Sequence, residues 1–203
     1  CYVTGSAYLW QKRRKIEKIR EIARREESMS REPVDVTPKN GTDGYEFNYA
    51  DDKEFENEFS YRPVVLSGIY DHKNEILVDR TRDHERGYCV ITPLYTHIDA
   101  NGEKRGIFVD RGWIDYTYRH SKLHYGDSEV NRKIEIHGIL RDSEVQDEKS
   151  ISNDFQENRI VIVDINQFEK VREMNLNENK ENKKRSCYLR ETDFGQKNKG
   201  NLY

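Results

Sequence analysis

Short apolar runs separated by charged turns occupy the chain from residue 61 onward. In one of them, Ile134 and Ile136 alternate with Lys133 and Glu135, which is the two-residue period of a half-buried β-strand. The runs that predict strands are 61–69, 75–78, 87–92, 105–114, 133–140, 158–164 and 186–190. Because these strands are short and closely spaced, and Asn101-Gly102 favours a hairpin, we predict an antiparallel β-barrel or sandwich.

Residues 7–28 show a different pattern, in which Lys, Arg, Glu, Ile and Ala dominate and neither Gly nor Pro interrupts. The segment therefore predicts one long helix. Its apolar side chains form a narrow stripe, which comprises Leu9, Ile16, Ile19, Ile22 and Ala23. Two interpretations stay open: the stripe packs onto the domain, or the helix is an arm that faces a membrane surface or phosphate groups.

A second, shorter helix is predicted at 165–174, where Ile165, Phe168 and Val171 follow one another at three-residue spacing. With the strands, the two helices make the fold class α+β. An acidic loop over 35–60 is expected to connect the long helix to a β-rich domain over 61–194. Within that domain, the polar stretch 175–185 predicts a further loop.

The charge of the chain is distributed unevenly. The 203 residues carry a formal net charge of -3, but residues 12–25 hold eight basic and two acidic side chains and are therefore +6, which leaves -9 for the rest. A globally basic nucleic-acid binder is excluded. A β-barrel that binds single strands through this helix is a weaker alternative, because the acidic remainder would repel the polyanion. We expect no nucleic-acid partner.

Two other classes are disfavoured. The longest apolar run has four residues, whereas a membrane-spanning helix needs roughly 20. Cys1, Cys89 and Cys187 are scattered along the chain, which argues against a disulfide framework or a thiolate zinc site.

Few residues predict catalysis. No Gly-rich phosphate loop, nucleophile elbow or zinc-protease motif occurs in the sequence. His120 and His124 would share one face of a helix, but their basic surroundings disfavour a metal site. Asp71 precedes His72 in a predicted turn, where such a pair more often caps the backbone than performs acid–base chemistry. These residues favour a binding or scaffold domain over an enzyme.

Several sequence blocks, in order, resemble the Surfeit locus protein 1 family. The first is the Trp-Gln-x-x-Arg block at 10–14, and the second is a Pro-Val element at 33–34. The blocks that follow are Tyr-Arg-Pro-Val at 61–64, Gly-Ile-Tyr-Asp-His-Lys at 68–73 with Glu75, Gly-Tyr-Cys-Val-Ile-Thr-Pro at 87–93, Asp-Arg-Gly-Trp at 110–113, and Gly-Ile-Leu-Arg at 138–141 with Glu144. Each block alone has low specificity, whereas five or six in the same order are a strong resemblance.

The resemblance implies a non-enzymatic assembly factor, or a stably bound accessory subunit, of mitochondrial cytochrome c oxidase. By the same resemblance, the soluble domain faces the intermembrane space from the inner membrane. The expected partners are oxidase subunits, with membrane lipid reached through anchors outside this chain. Residues 1–34 would then hold the end of one anchor and the basic helix, and residues 195–203 the entry to a second span.

The family also implies an alternative role as a carrier of haem a for the catalytic subunit. In this chain the position of the family's second-span histidine falls near Gly200 or Asn201, and neither is a good iron ligand. We therefore expect no cofactor and no metal. Asp110 also replaces the family's usual Asn. The residues that the resemblance marks as candidates for partner binding are Trp10, Gln11, Arg14, Tyr61, Arg62, Asp71, His72, Arg111 and Trp113.

Overall fold

In the computed structural model, which describes residues 2–37, 59–98, 102–119, 132–144, 151–172 and 187–192, five strands close into a β-barrel. The elements in chain order are α1 (Tyr2–Ser30), β1 (Val34–Asp35), β2 (Pro63–Tyr70), β3 (Ile76–Arg82), β4 (Glu85–Ile98), β5 (Lys104–Asp115), β6 (Ile134–Asp142), α2 (Ile165–Val171) and β7 (Cys187–Glu191). The predicted α+β class and the barrel are confirmed.

The barrel strands lie in the order β2-β6-β7-β5-β4, and β2 pairs with β4 to close the ring. The closing register places Ile69 opposite Tyr95 and Tyr70 opposite Leu94. Most neighbours are antiparallel, as predicted, and β4 and β5 pair as the expected hairpin. Two pairings are parallel: β5 with β7, and the short β1 with β2. β3 extends the sheet beyond β4.

Two apolar clusters lie on opposite faces of the sheet, because neighbouring side chains of a strand point to opposite sides. In β5, Ile107 and Val109 join the cluster inside the barrel, which has members from all five barrel strands. Phe108, between them, faces outward and packs edge-on against Phe168 of α2 at 5.8 Å between ring centroids. The second cluster thus fixes α2 and the segment before it to the outer face.

The strand predicted at 158–164 is wrong. The segment makes an isolated bridge between Asp154 and Arg159, and Asn158 has a φ of 55, so no continuous strand forms. The side chain of Asn153 satisfies the backbone instead: its Oδ1 accepts hydrogen bonds from the amides of Val161 and Ile162, both at 2.9 Å. The apolar run is consequently the irregular layer that covers the outer face of the barrel.

Of the two interpretations of the α1 stripe, the one in which it packs onto the domain is wrong. Every described side chain from Ala7 to Arg24 is exposed, and burial begins only at Arg25. The helix attaches at its last turn, where the Ser28 hydroxyl donates to the carbonyl of Ser60 at 2.8 Å. In the part of the chain that the structure describes, no helix has the length and apolar composition needed to cross a bilayer.

Some sequence predictions lie outside the described residues and stay predictions. These are most of the acidic loop (38–58), the polar loop 175–185, the tail 195–203, and the pair His120 and His124.

Candidate functional site

The structure distributes the predicted site residues over four places and does not unite them in one pocket. Trp10, Gln11 and Arg14 lie on the exposed half of α1. The remaining residues belong to the barrel. Tyr61 and Arg62 lie at the start of β2. Asp71 and His72 lie at the end of β2, where Arg111 approaches from β5, and Trp113 lies farther along β5.

Asp71 closes the turn after β2. Its carboxylate accepts hydrogen bonds from the amide of Lys73 at 3.1 Å and from the side-chain amide of Asn74 at 2.8 Å. The hydroxyl of Tyr95 donates to the same carboxylate at 3.2 Å. Burial, followed by the charge of Asp71 and this hydrogen bond, raises the pKa of Tyr95 to about 12. Asp71 therefore caps the backbone and links β2 to β4, as the turn interpretation predicted.

His72 lies almost enclosed beside Asp71, with a side chain that is 8% exposed. Its Nδ1 is 4.0 Å from Oε2 of Glu75, and its ring centroid is 5.6 Å from that of Tyr70. Glu75 also accepts a hydrogen bond from Thr92 at 3.2 Å. The imidazole is thus held in an internal polar contact between the end of β2 and β4.

Arg111 reaches the same region from β5. Its guanidinium carbon lies 4.7 Å from the centroid of the Tyr70 ring, and the hydroxyl of Tyr70 donates to Glu191 of β7 at 3.2 Å. Tyr70, Asp71, His72, Glu75 and Arg111, here named the β2-end cluster, therefore tie β2 to β4, β5 and β7. A stacked guanidinium contributes roughly 0.5–2 kcal/mol according to its exposure.

Tyr61 forms the joint between the helix and the barrel. Its ring contacts two guanidinium groups, that of Arg25 at 4.6 Å and that of Arg141 at 5.2 Å from the ring centroid. Tyr61 has a φ of 62, in the left-handed region that side chains other than glycine rarely adopt. The half-buried Arg62 follows it, and its carbonyl accepts from the amide of Leu140 at 3.3 Å. The Tyr-Arg block thus orients α1 relative to β6.

The Asp-Arg-Gly-Trp block forms a bulge in β5. The pairing with β4 shifts between Cys89–Trp113 and Ile91–Asp110, and Gly112 has a φ of 114, which a glycine adopts without strain. The Trp113 indole donates to the carbonyl of Arg80 at 3.3 Å. Its ring lies against Gly87, where an added Cβ would approach it to 2.3 Å. Trp113 is a packing residue of the barrel wall.

Sequence reasoning missed the role of one ion pair outside the predicted set. Arg80 binds both carboxylate oxygens of Glu144, at 2.7 and 2.6 Å, and donates to the carbonyl of Val161 at 2.5 Å. Glu144 in turn accepts from the amide of Val163 at 2.9 Å. The pair fastens the irregular layer to β3. The last acidic residue of the Gly-x-x-Arg-x-x-Glu block was the available signal.

The exposed half of α1 presents side chains to solvent. The Arg14 guanidinium stacks on the Trp10 indole at 4.4 Å from the ring centroid, and Trp10 is 57% exposed. Arg25, one turn before the end of α1, pairs with Glu21. These groups have the composition of a binding surface rather than of a catalytic site, because Trp and Arg are enriched where proteins bind one another.

The described residues offer little chemistry for turnover. Burial, reinforced by the charge of Asp110, raises the pKa of the Cys89 thiol, which keeps it protonated and unreactive. No group of three or more His, Cys, Asp or Glu side chains that could hold a metal ion occurs within the described ranges.

A comparison with protein-family models matches residues 6–198 of the chain to the SURF1 family. The match covers the helix, the barrel and the irregular layer alike. A comparison with curated protein sequences finds no match.

Proposed function

Since the chain belongs to the SURF1 family, we propose that it is an assembly factor, or a stably bound accessory subunit, of mitochondrial cytochrome c oxidase that acts by docking onto oxidase subunits. The family is known for cytochrome oxidase assembly and is an assembly-factor family rather than an enzyme family. The observation that carries the proposal is the family match over residues 6–198, which spans α1 and the barrel together.

The geometry supports docking by leaving α1 free for contact. Tyr61, Asp71 and Trp113 are engaged in contacts that shape the barrel. The β2-end cluster holds four strands together. Of the predicted site residues, Trp10, Gln11 and Arg14 are the exposed ones, so a partner can contact these three directly. Arg62, His72 and Arg111 would affect partner binding indirectly, because they hold the surface of the barrel in place.

The proposed location follows from the family as well. The SURF1 family is associated with the mitochondrial inner membrane. We place the barrel on the intermembrane-space side, held at the membrane by anchoring segments in sequence outside this chain. Protease protection in intact and osmotically opened mitochondria tests that side: cleavage of the barrel only after opening of the outer membrane supports it, and cleavage only after disruption of both membranes contradicts it.

Neither His72 nor His137 offers haem a a favourable axial ligand. An axial ligand needs an imidazole nitrogen that the iron can approach, but the side chain of His72 is only 8% exposed. His137 on β6 is more exposed, but its Nε2 lies 3.4 Å from Oε1 of Glu135. A haem bound to His137 would therefore also face the carboxylate of Glu135. Docking is therefore the better-supported activity, and no step of it passes through haem.

Affinity purification of the tagged full-length protein from detergent-solubilised inner membrane tests the proposal. Oxidase subunits should co-purify with the protein, and inner membranes from cells without the protein should contain less assembled oxidase. Oxidase subunits missing from the purified fraction, together with a normal oxidase level in the deletion, would refute the docking function.

A further inference from the structure

The exposed apolar residues of α1 have the spacing of a coiled-coil seam. Leu9, Ile16, Ile19 and Ala23 follow one another at intervals of seven, three and four residues. They therefore fall on the a and d positions of successive heptads. Lys12 occupies the one remaining d position between Leu9 and Ile16. Leu9, Ile16 and Ile19 are 57%, 40% and 56% exposed. These four apolar residues with Lys12 are named the α1 seam.

The barrel contacts α1 on the side opposite to the α1 seam. An α-helix turns by about 100° per residue, so residues nine positions apart lie on opposite sides. Ser28, which bonds to Ser60, is nine positions after Ile19, and Arg25, which stacks on Tyr61, is nine positions after Ile16. The barrel therefore cannot cover the seam without detaching the joint at Tyr61.

Basic side chains flank the seam. Arg13 and Arg20 occupy e positions and Lys15 a g position, and all three are exposed. In a two-stranded coiled coil these positions face the flanks of the partner and decide its charge. A second copy of α1 would bring like charges together, which disfavours self-association through this face. An acidic helix would instead pair with each of the three.

We propose that the α1 seam binds an amphipathic helix with acidic flanks on a partner protein. This inference rests on the proposed docking function and specifies the chemistry of the partner. The position of Trp10 disfavours an alternative in which α1 lies on a bilayer. Trp10 is nine positions before Ile19, so the side chain most suited to a membrane interface would point away from the lipid.

Two double variants of the full-length protein separate the seam from general basicity. Ile16→Ser with Ile19→Ser removes the apolar seam, and Arg13→Gln with Arg20→Gln neutralises its flank. The matched control, Lys18→Gln with Arg24→Gln, removes the same charge from the outer face of α1. All of these side chains are exposed, so circular dichroism should show an unchanged barrel.

The probe is a labelled synthetic helix of about three heptads with Leu at a and d and Glu at e and g. A second peptide carries Lys in place of Glu. Fluorescence anisotropy should show binding of the Glu peptide and none of the Lys peptide. Ile16→Ser with Ile19→Ser should weaken binding by at least about tenfold, because each buried Ile contributes about 1.5–3 kcal/mol. Arg13→Gln with Arg20→Gln removes two flanking ion pairs of roughly 0.2–1 kcal/mol each and should weaken binding about fivefold, while the control should change it less than about twofold.

Three outcomes overturn the inference: no binding of the Glu peptide, equal weakening by seam and control variants, or seam-dependent binding to vesicles of phosphatidylcholine and cardiolipin without peptide binding. Co-purification of oxidase with the seam variants distinguishes the two proposals. Unchanged co-purification overturns the seam as the docking surface and leaves the docking function intact. Failure of the unaltered protein to co-purify oxidase, together with a normal oxidase level in the deletion, refutes the docking function, and the peptide measurement still decides what the seam binds.

Discussion

Arg190 of β7 donates from Nε to Oδ2 of Asp110 in β5 at 2.8 Å, and the two ends of this ion pair differ in burial. The Asp110 side chain is 3% exposed, whereas that of Arg190 is 44% exposed. Burial alone would lower the pKa of Arg190, but the charge of Asp110 and the hydrogen bond to it raise the pKa overall. Asp110 also accepts from the amide of Gly112 at 3.1 Å. The pair therefore joins β7 to the bulge of β5.

This asymmetry makes the two single substitutions unequal. Arg190→Met leaves a buried carboxylate without its cation and should lower the free energy of unfolding by about 3–5 kcal/mol. Asp110→Asn keeps an acceptor for Gly112 and releases an arginine that is already half in water, so we expect a loss of about 1 kcal/mol. Urea unfolding of each variant measures both values.

The double variant Asp110→Asn with Arg190→Met is the control for this pair. It should be more stable than Arg190→Met alone, because no charge is then left buried. If Asp110→Asn proved the more damaging single change, the assigned roles of the two residues would be reversed.

Arg80 and Glu144 should control the attachment of the irregular layer. In Glu144→Gln the ion pair with Arg80 is lost, and the amide of Val163 keeps a weaker acceptor. Hydrogen exchange of residues 160–164 should become faster by about tenfold, while exchange in the barrel strands should change little.

Arg82→Gln on the same strand is the matched control, since its contact with Asp83 is solvent-exposed. It should leave exchange in residues 160–164 unchanged. Uniform acceleration across the barrel in Glu144→Gln would instead show that the ion pair contributes to global stability.

The joint at Tyr61 should determine how firmly α1 is attached. Tyr61→Leu removes both stacked contacts, with Arg25 and Arg141, each worth about 0.5–1 kcal/mol at a partly exposed site. Hydrogen exchange in the last turn of α1, residues 25–30, should therefore accelerate. Tyr8→Leu, at an exposed position on the same helix, should not change it. Equal exchange in the two variants would contradict the role of Tyr61.

The raised pKa of Tyr95 predicts a loss of stability at alkaline pH. Burial and Asp71 raise the pKa from 10.0 to about 12 in the folded chain, so the folded state binds this proton more tightly than the unfolded state. The stabilising contribution is complete below pH 10 and is lost as the pH rises to about 12. Between these values, Tyr95→Phe should lose less stability than the parent protein.

Urea midpoints across this pH range measure the effect. Burial also raises the pKa of Tyr188, so both Tyr95→Phe and the parent protein should still lose some stability at alkaline pH. Tyr118→Phe, whose ring is 51% exposed, is the control and should follow the parent. Parallel pH profiles for Tyr95→Phe and the parent would contradict the assignment.

The sequence pattern predicted the positions of the strands better than the contacts that each segment makes. Alternation in 133–140 and the hairpin signal before 105–114 correctly placed β6 and β5, because both depend on neighbours in sequence. The run 158–164 has the composition of a strand, but its backbone bonds to Asn153 and to Asp79 are non-local. The two-residue β1 is too short to produce any periodicity.

The candidate site shows the same division. The resemblance drew attention to Tyr61 and Arg111, yet neither the stacking of Arg25 and Arg141 on Tyr61 nor that of Arg111 on Tyr70 could be predicted from sequence. The stripe of α1 was visible from its period. Which side the barrel occupies depends on the Ser28–Ser60 bond, which forms only in the folded chain.

The parallel position of β7 has a consequence for biosynthesis. β7 follows the other described strands in the sequence, yet it lies between β5 and β6 in the ring. Until Cys187–Glu191 has left the ribosome, β5 and β6 each present an unpaired edge, and the nascent chain is an open sheet able to join foreign strands. Those edges would need protection by a chaperone until β7 is available to close the ring.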